Sequence, residues 1–145
     1  MENKHRAVFE SLFAQEGAVA SAYGAAQEFC SPPLRDMLES LRQSHRGQMA
    51  AIARVLAAGG PPPASGAPSV PATDPRTGSW KEAMRALEQL EDGLVAAYQG
   101  ARERMTYPYG KRIIEVDLLP AQLRSHEQMR QIERQGLEAP AWIRG

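Results

Sequence analysis

Twenty consecutive residues near the middle of the chain, Gly59 to Gly78, are almost all Gly, Pro, Ala, Ser or Thr. A stretch of that composition cannot pack as a helix or a strand, so it divides the fold into two parts and must also join them. Fully extended, it reaches about 60 Å. A helix of 27 residues is only about 40 Å long. The linker is therefore long enough to carry the chain back along a whole helical bundle, so that the elements on either side of it run parallel rather than as a hairpin.

Each side of the linker reads as two helices. From Asn3 to Phe29, Val8, Phe9, Leu12, Phe13, Val19, Ala20 and Tyr23 recur at three- and four-residue intervals, the pattern of an amphipathic helix. The Cys30-Ser31-Pro32-Pro33 break stops it. Ser31 can cap a second helix whose first turn tolerates Pro32, and the stripe Leu34, Leu38, Leu41, Met49, Ile52, Leu56 carries that helix to about Ala58. The third opens on Ser79-Trp80-Lys81-Glu82, a capping box, and follows Met84, Leu87, Leu94, Tyr98 and Met105. The fourth spans about Lys111 to Gln135, with Ile114, Leu118, Leu119, Leu123, Met129 and Ile132 expected inward and Gly136 as its stop. Pro120 lies inside it and should kink or split it. The expectation is one all-α domain over 1–136, two antiparallel hairpins closed into a four-helix bundle, with a tail over 137–145.

Composition narrows the function classes. At 145 residues the chain suits one domain. Seventeen basic residues balance seventeen acidic ones without a basic face, which argues against nucleic acid as a partner. No run of about 18 apolar residues and no apolar leader occurs, so the expectation is a cytoplasmic protein without a membrane span. Cys30 stands alone and rules out an internal disulfide. The Trp142-Ile143 tail is the visible candidate for docking on the bundle or on a partner. Met37, Val55 and Val95 are too few to argue a homodimer.

The two halves also repeat. Leu12, Glu16, Ala22, Tyr23 and Ala26 match Leu87, Glu91, Ala97, Tyr98 and Ala101 at one constant offset, and Asp36, Leu38, Ser44 and His45 match Asp117, Leu119, Ser125 and His126 at another. Glu16, His45, Glu91 and His126 each interrupt an apolar stripe where a leucine would be expected, so all four should point inward. Residues equidistant from a hairpin turn are level. The midpoint of Glu16 and His45 falls at the Cys30-Ser31 break, and that of Glu91 and His126 at Pro108-Tyr109. The sequence thus predicts two glutamate and histidine pairs meeting at mid-bundle, with Tyr23 and Tyr98 two turns beyond each glutamate on the same face. Their hydroxyls would need partners, and a carboxylate on a neighbouring helix is a natural one.

This pattern resembles the ferritin-like superfamily, whose first and third helices carry Glu-x6-Tyr and whose second and fourth carry Glu-x2-His. In flavour it is most similar to small uncharacterised bacterial members. The resemblance implies that Glu16 and Glu91 are terminal carboxylate ligands, His45 and His126 imidazole ligands, and Tyr23 and Tyr98 outer partners. Where the superfamily places a bridging glutamate three residues before each histidine, this chain has Arg42 and Leu123. Glu39 cannot stand in, being about 120° away around the helix from His45. Di-iron ferroxidase or oxygenase chemistry is therefore not expected.

Two readings of the cluster remain. Two histidines and two carboxylates can hold one Fe, Mn or Zn ion. Alternatively the layer is metal-free, with Arg42 or the histidines compensating the glutamates, and serves to fix helix register in a structural or protein-interaction bundle. No catalytic residue is assigned, because no nucleophile constellation, phosphate loop or separate acid and base pair is present.

Overall fold

The computed structural model describes residues 2–58 and 80–138. The linker, Ser79 with its expected capping role, and the Trp142-Ile143 tail lie outside the described residues. Helix α1 spans Asn3–Ala26 and ends in a single 3-10 turn, Gln27–Phe29. After Cys30 and Ser31, α2 runs over Pro32–Ala58, with the Ser31 carbonyl accepting from the Arg35 N–H at 2.8 Å. Helix α3 covers Trp80–Arg104. The last rod is composite: α4 at Pro108–Ile113, a π-helical turn at Ile114–Leu118, and α5 at Leu119–Glu138.

Proline explains that composite. Pro120 has no N–H to donate, and in a regular α-helix its ring would meet the carbonyl of Val116. The π turn ends at Leu118, two residues before Pro120, and widens the backbone there, so the rod is split into two α pieces. The rod also passes Gly136, the expected stop, and continues to Glu138.

Contacts along the rods fix their directions. The Arg6 Nη1 donates to the Leu56 carbonyl (3.1 Å), and His5 Nε2 meets Thr106 Oγ1 (2.8 Å), so the start of α1 lies beside the ends of both α2 and α3. Helix α1 is thus antiparallel to each. Gln48 ties α2 to the last rod through the Leu118 carbonyl (3.0 Å), and Gln122 ties that rod to α3 through the Glu91 carbonyl (3.3 Å). The four rods form a square with α2 and α3 at opposite corners, parallel to each other. The end of α2 and the start of α3 therefore lie at opposite ends of the bundle.

The interior is filled from every rod by Phe9, Leu12, Leu38, Leu41, Ile52, Leu56, Leu87, Leu94, Ile114 and Met129, each at most 2% exposed. Burying each large apolar side chain contributes about 1.5–3 kcal/mol, which is what holds the helices together. At the end where α1 begins, Gly110 lets α4 close over α1: a Cβ there would stand 2.9 Å from Met105 Sδ and 3.2 Å from Phe9. One expected core residue is misplaced. Leu123 faces outward and is 46% exposed.

Candidate functional site

Midway along the bundle the apolar interior is interrupted by Glu16, His45, Glu91, Tyr23 and Tyr98, all with no exposed surface. Each sits on an otherwise apolar face of its helix, so the packing that buries the neighbouring leucines buries these groups too. His45 stands between the two carboxylates. Its Nδ1 is 2.7 Å from Glu16 Oε2 and its Nε2 is 2.5 Å from Glu91 Oε1. Tyr23 stacks on the imidazole, with ring centres 5.5 Å apart.

The tyrosines cross between repeats. In the antiparallel α1 and α3 pair, residues 16 and 98 are level, and so are 23 and 91. Tyr98 donates to Glu16 Oε1 at 2.7 Å, and the Tyr23 hydroxyl lies beside the Glu91 carboxylate. The two sides are unequal. Glu16 is held by directed hydrogen bonds from His45 and Tyr98, whereas Glu91, His45 Nε2 and the Tyr23 hydroxyl meet at short range but outside hydrogen-bonding directions.

Electrostatics follow from this enclosure. Burial alone would push the His45 imidazolium down, but the close contacts and negative charge of Glu16 and Glu91 outweigh it and raise the pKa from 6.5 to about 9. His45 is therefore a cation at neutral pH, with both ring N–H groups facing carboxylates. Burial, and then the neighbouring glutamates, push both tyrosine hydroxyls well above their ordinary value. They remain neutral donors.

The remaining expected residues do not reach this point. His126 lies at the bundle surface with Nε2 against Asp92 Oδ1. The inward positions of the last rod are Leu118, Gln122, Ser125, Met129 and Ile132, spaced four, three, four and three residues apart, and His126 falls one residue off that line. Gln122 is the residue level with Glu91. Arg42 compensates neither buried glutamate. Its Nη1 donates to both oxygens of Glu39 at 2.9 Å on the surface of α2, and hydrogen bonds from Gln27, Gln43 and Arg42 bring Glu39 down to about 2.

Gln122, Ser125, Gln48 and Asp92 were not anticipated. The signal for Gln122 and Ser125 was present: stepping back from Ile132 and Met129 at helical spacing lands on 125 and 122, not on 126 and 123.

The donor set does not suit the metal that the ferritin-like resemblance implies. The two ring nitrogens of His45 point away from each other, each toward a different carboxylate. An ion on Nε2 would have Glu91 and Tyr23 beside it, and an ion on Nδ1 would have Glu16 and Tyr98. Neither place collects the three or four charged or imidazole ligands that Zn, Mn or Fe sites use. Among the described residues no three His, Cys, Asp or Glu side chains are arranged to hold an ion.

No family model matches the chain, and no curated protein matches it in sequence. A solved structure does match in shape. It is the crystal structure of a conserved hypothetical protein from Mycobacterium tuberculosis, with a TM-score of 0.71 and 18% identity over 92% of this chain and 98% of that one. At that identity the likeness establishes a shared all-α fold and says nothing of activity. Among the described residues no helix is long and apolar enough to cross a membrane.

Proposed function

We propose that this chain is a ferritin-like bundle that works without a metal, as a structural or protein-interaction module, with the imidazolium of His45 taking the place between Glu16 and Glu91 that a cation takes in metal-bearing relatives. The observation that carries this reading is the engagement of both His45 nitrogens by different carboxylates at 2.7 and 2.5 Å. A histidine so held carries its own positive charge and offers no lone pair. The Glu16 carboxylate is already satisfied by His45 and Tyr98.

What such a layer does is geometric. Glu16 comes from α1, His45 from α2, and Glu91 and Tyr98 from α3, so a slip of any one helix by a single turn separates charges that are fully buried. A buried ion pair adds little net stability over a well-packed apolar core, but it penalises wrong registers. The test is elemental analysis of tag-free protein incubated with Fe(II), Mn(II) and Zn(II), beside the His45→Ala variant. The expected result is far less than one ion per chain in both. One ion per wild-type chain, lost in the variant, would overturn the proposal in favour of a metalloprotein.

A further inference from the structure

A pocket of about 120 Å³ opens on the solvent side of the seam between α1 and α3. Val19 and Leu94, 3% and 1% exposed, lie deepest in its lining, with Ala18 beside them. Gln89 and Gly93 are exposed and stand at its mouth, together with the half-buried Gln15. Its place in the fold follows from the repeat. Ala18 and Gly93 each come two residues after the glutamate of their half, and Val19 and Leu94 three residues after it. Two residues turn a helix by about 200°, so the turns that send Glu16 and Glu91 inward present these other positions to the seam.

Gly93 is the residue that packing does not explain. It sits inside α3, where glycine is less favourable than alanine because it gives up more backbone freedom on folding. A Cβ at this position would meet no atom within 4 Å, so no neighbour demands its absence. Its counterpart Ala18 keeps a methyl group and is 7% exposed. What the glycine supplies is room at the mouth of the pocket.

The walls select the guest. No lining residue is charged, and apart from two glutamine amides the lining is aliphatic or glycine. A charged molecule would give up hydration here without an opposite charge to replace it. An apolar body gains by leaving water. The Gln15 amide is steadied by donating from Nε2 to Ser11 Oγ at 3.0 Å, and a glutamine amide carries both donor and acceptor groups. The volume is somewhat below the about 150 Å³ of an engineered apolar cavity that accepts benzene.

We propose that this pocket binds a small uncharged molecule, an aliphatic or alicyclic body no larger than a six-membered ring, carrying one hydroxyl or carbonyl group that meets the amides of Gln15 and Gln89. The site is separate from the buried layer and does not depend on how that layer balances its charge.

The test uses the full chain, isotope-labelled for NMR and titrated with cyclohexanol and, separately, with cyclohexylammonium. The Gly93→Leu variant is titrated beside it, since a leucine there would occupy the mouth. Circular dichroism confirms the helices of the variant, which leucine favours over glycine. The expected result with cyclohexanol is a saturable set of shifts confined to Gln15, Gln89, Gly93 and their neighbours, with a dissociation constant in the low millimolar range. Binding should be at least tenfold weaker for cyclohexylammonium, and at least tenfold weaker for cyclohexanol in Gly93→Leu. Shifts that never saturate, or that centre on the exposed Tyr109, Val116 and Leu123 instead, would overturn the proposal in the wild type alone. Equal affinity for the ammonium probe, or undiminished cyclohexanol binding by a folded Gly93→Leu chain, would overturn it as well.

Discussion

The two hairpins share their pattern of leucines, glutamates and tyrosines, yet only the first delivers its histidine to the interior. His45 has no exposed surface, whereas His126 lies outside against Asp92. Helix α2 is uninterrupted, and its inward positions, Leu34, Leu38, Leu41, His45, Gln48, Ile52 and Leu56, keep one phase from end to end. The last rod carries Pro120 and a π turn, and beyond them Met129 and Ile132 set a phase that turns Gln122 and Ser125 inward. A duplicated motif therefore diverges by rotation as well as by substitution. One residue of phase is enough to move a histidine from the core to the surface.

The two histidines differ most in what their removal does. His45→Ala leaves two carboxylates in the core without their cation, and a broken buried pair costs about 3–5 kcal/mol. Chemical denaturation of this variant should show a loss in that range or failure to fold. A loss below about 1 kcal/mol would mean that His45 is not the counter-charge the geometry describes.

The next largest effect is on pH dependence. The folded pKa of His45 is raised from 6.5 to about 9, so its contribution is fully present below pH 6.5 and is lost as pH rises through about 9. The rise corresponds to about 3 kcal/mol at most. Unfolding free energy should therefore fall between pH 6.5 and 10 in the wild type. In a His45→Gln variant that part of the slope should vanish. A wild-type profile that is flat or rising over this range would contradict an imidazolium held between carboxylates.

Much of this architecture was legible in the sequence, and the reason is physical. Helices bounded by Pro32, Ala58 and Trp80 announce themselves through periodicity and breakers, and α2 and α3 begin and end close to where those signals place them. The level of Glu16 and His45 follows from counting residues to the Cys30-Ser31 turn, because nothing between them disturbs the rise per residue. The same counting failed for Glu91 and His126. It took Leu123 as inward for its apolarity and ignored the phase that Met129 and Ile132 impose, and Gln122 is the polar residue that phase selects. Arg42 departs from expectation for a different reason: Glu39, one turn earlier on the same surface, offers it both carboxylate oxygens without any cost of burial.

A smaller effect separates the two turns. The first, at Gln27–Phe29 and Cys30, is a 3-10 turn without glycine. The second packs Gly110 against Met105, Phe9 and Tyr107 with no room for a methyl group. Gly110→Ala should destabilise the protein by about 1–3 kcal/mol through overpacking, despite the better helix propensity of alanine. Stabilisation instead would show that the α3 to α4 turn yields easily and is not closed over α1 as described.

The smallest effect belongs to His126, and it is the control that gives the first prediction its meaning. His126 is 20% exposed and Asp92 60%, so their pairing is screened by solvent. Exposed pairs of this kind contribute at most about 1 kcal/mol, and His126→Ala should cost no more than that. Because the pair is tied to neither Glu16 nor Glu91, the loss should add to that of His45→Ala when the two variants are combined. A combined loss well below the sum would mean that the two histidines share a partner. The second hairpin would then bring its histidine to the same centre as the first, and the rotation of the last rod would have to be abandoned.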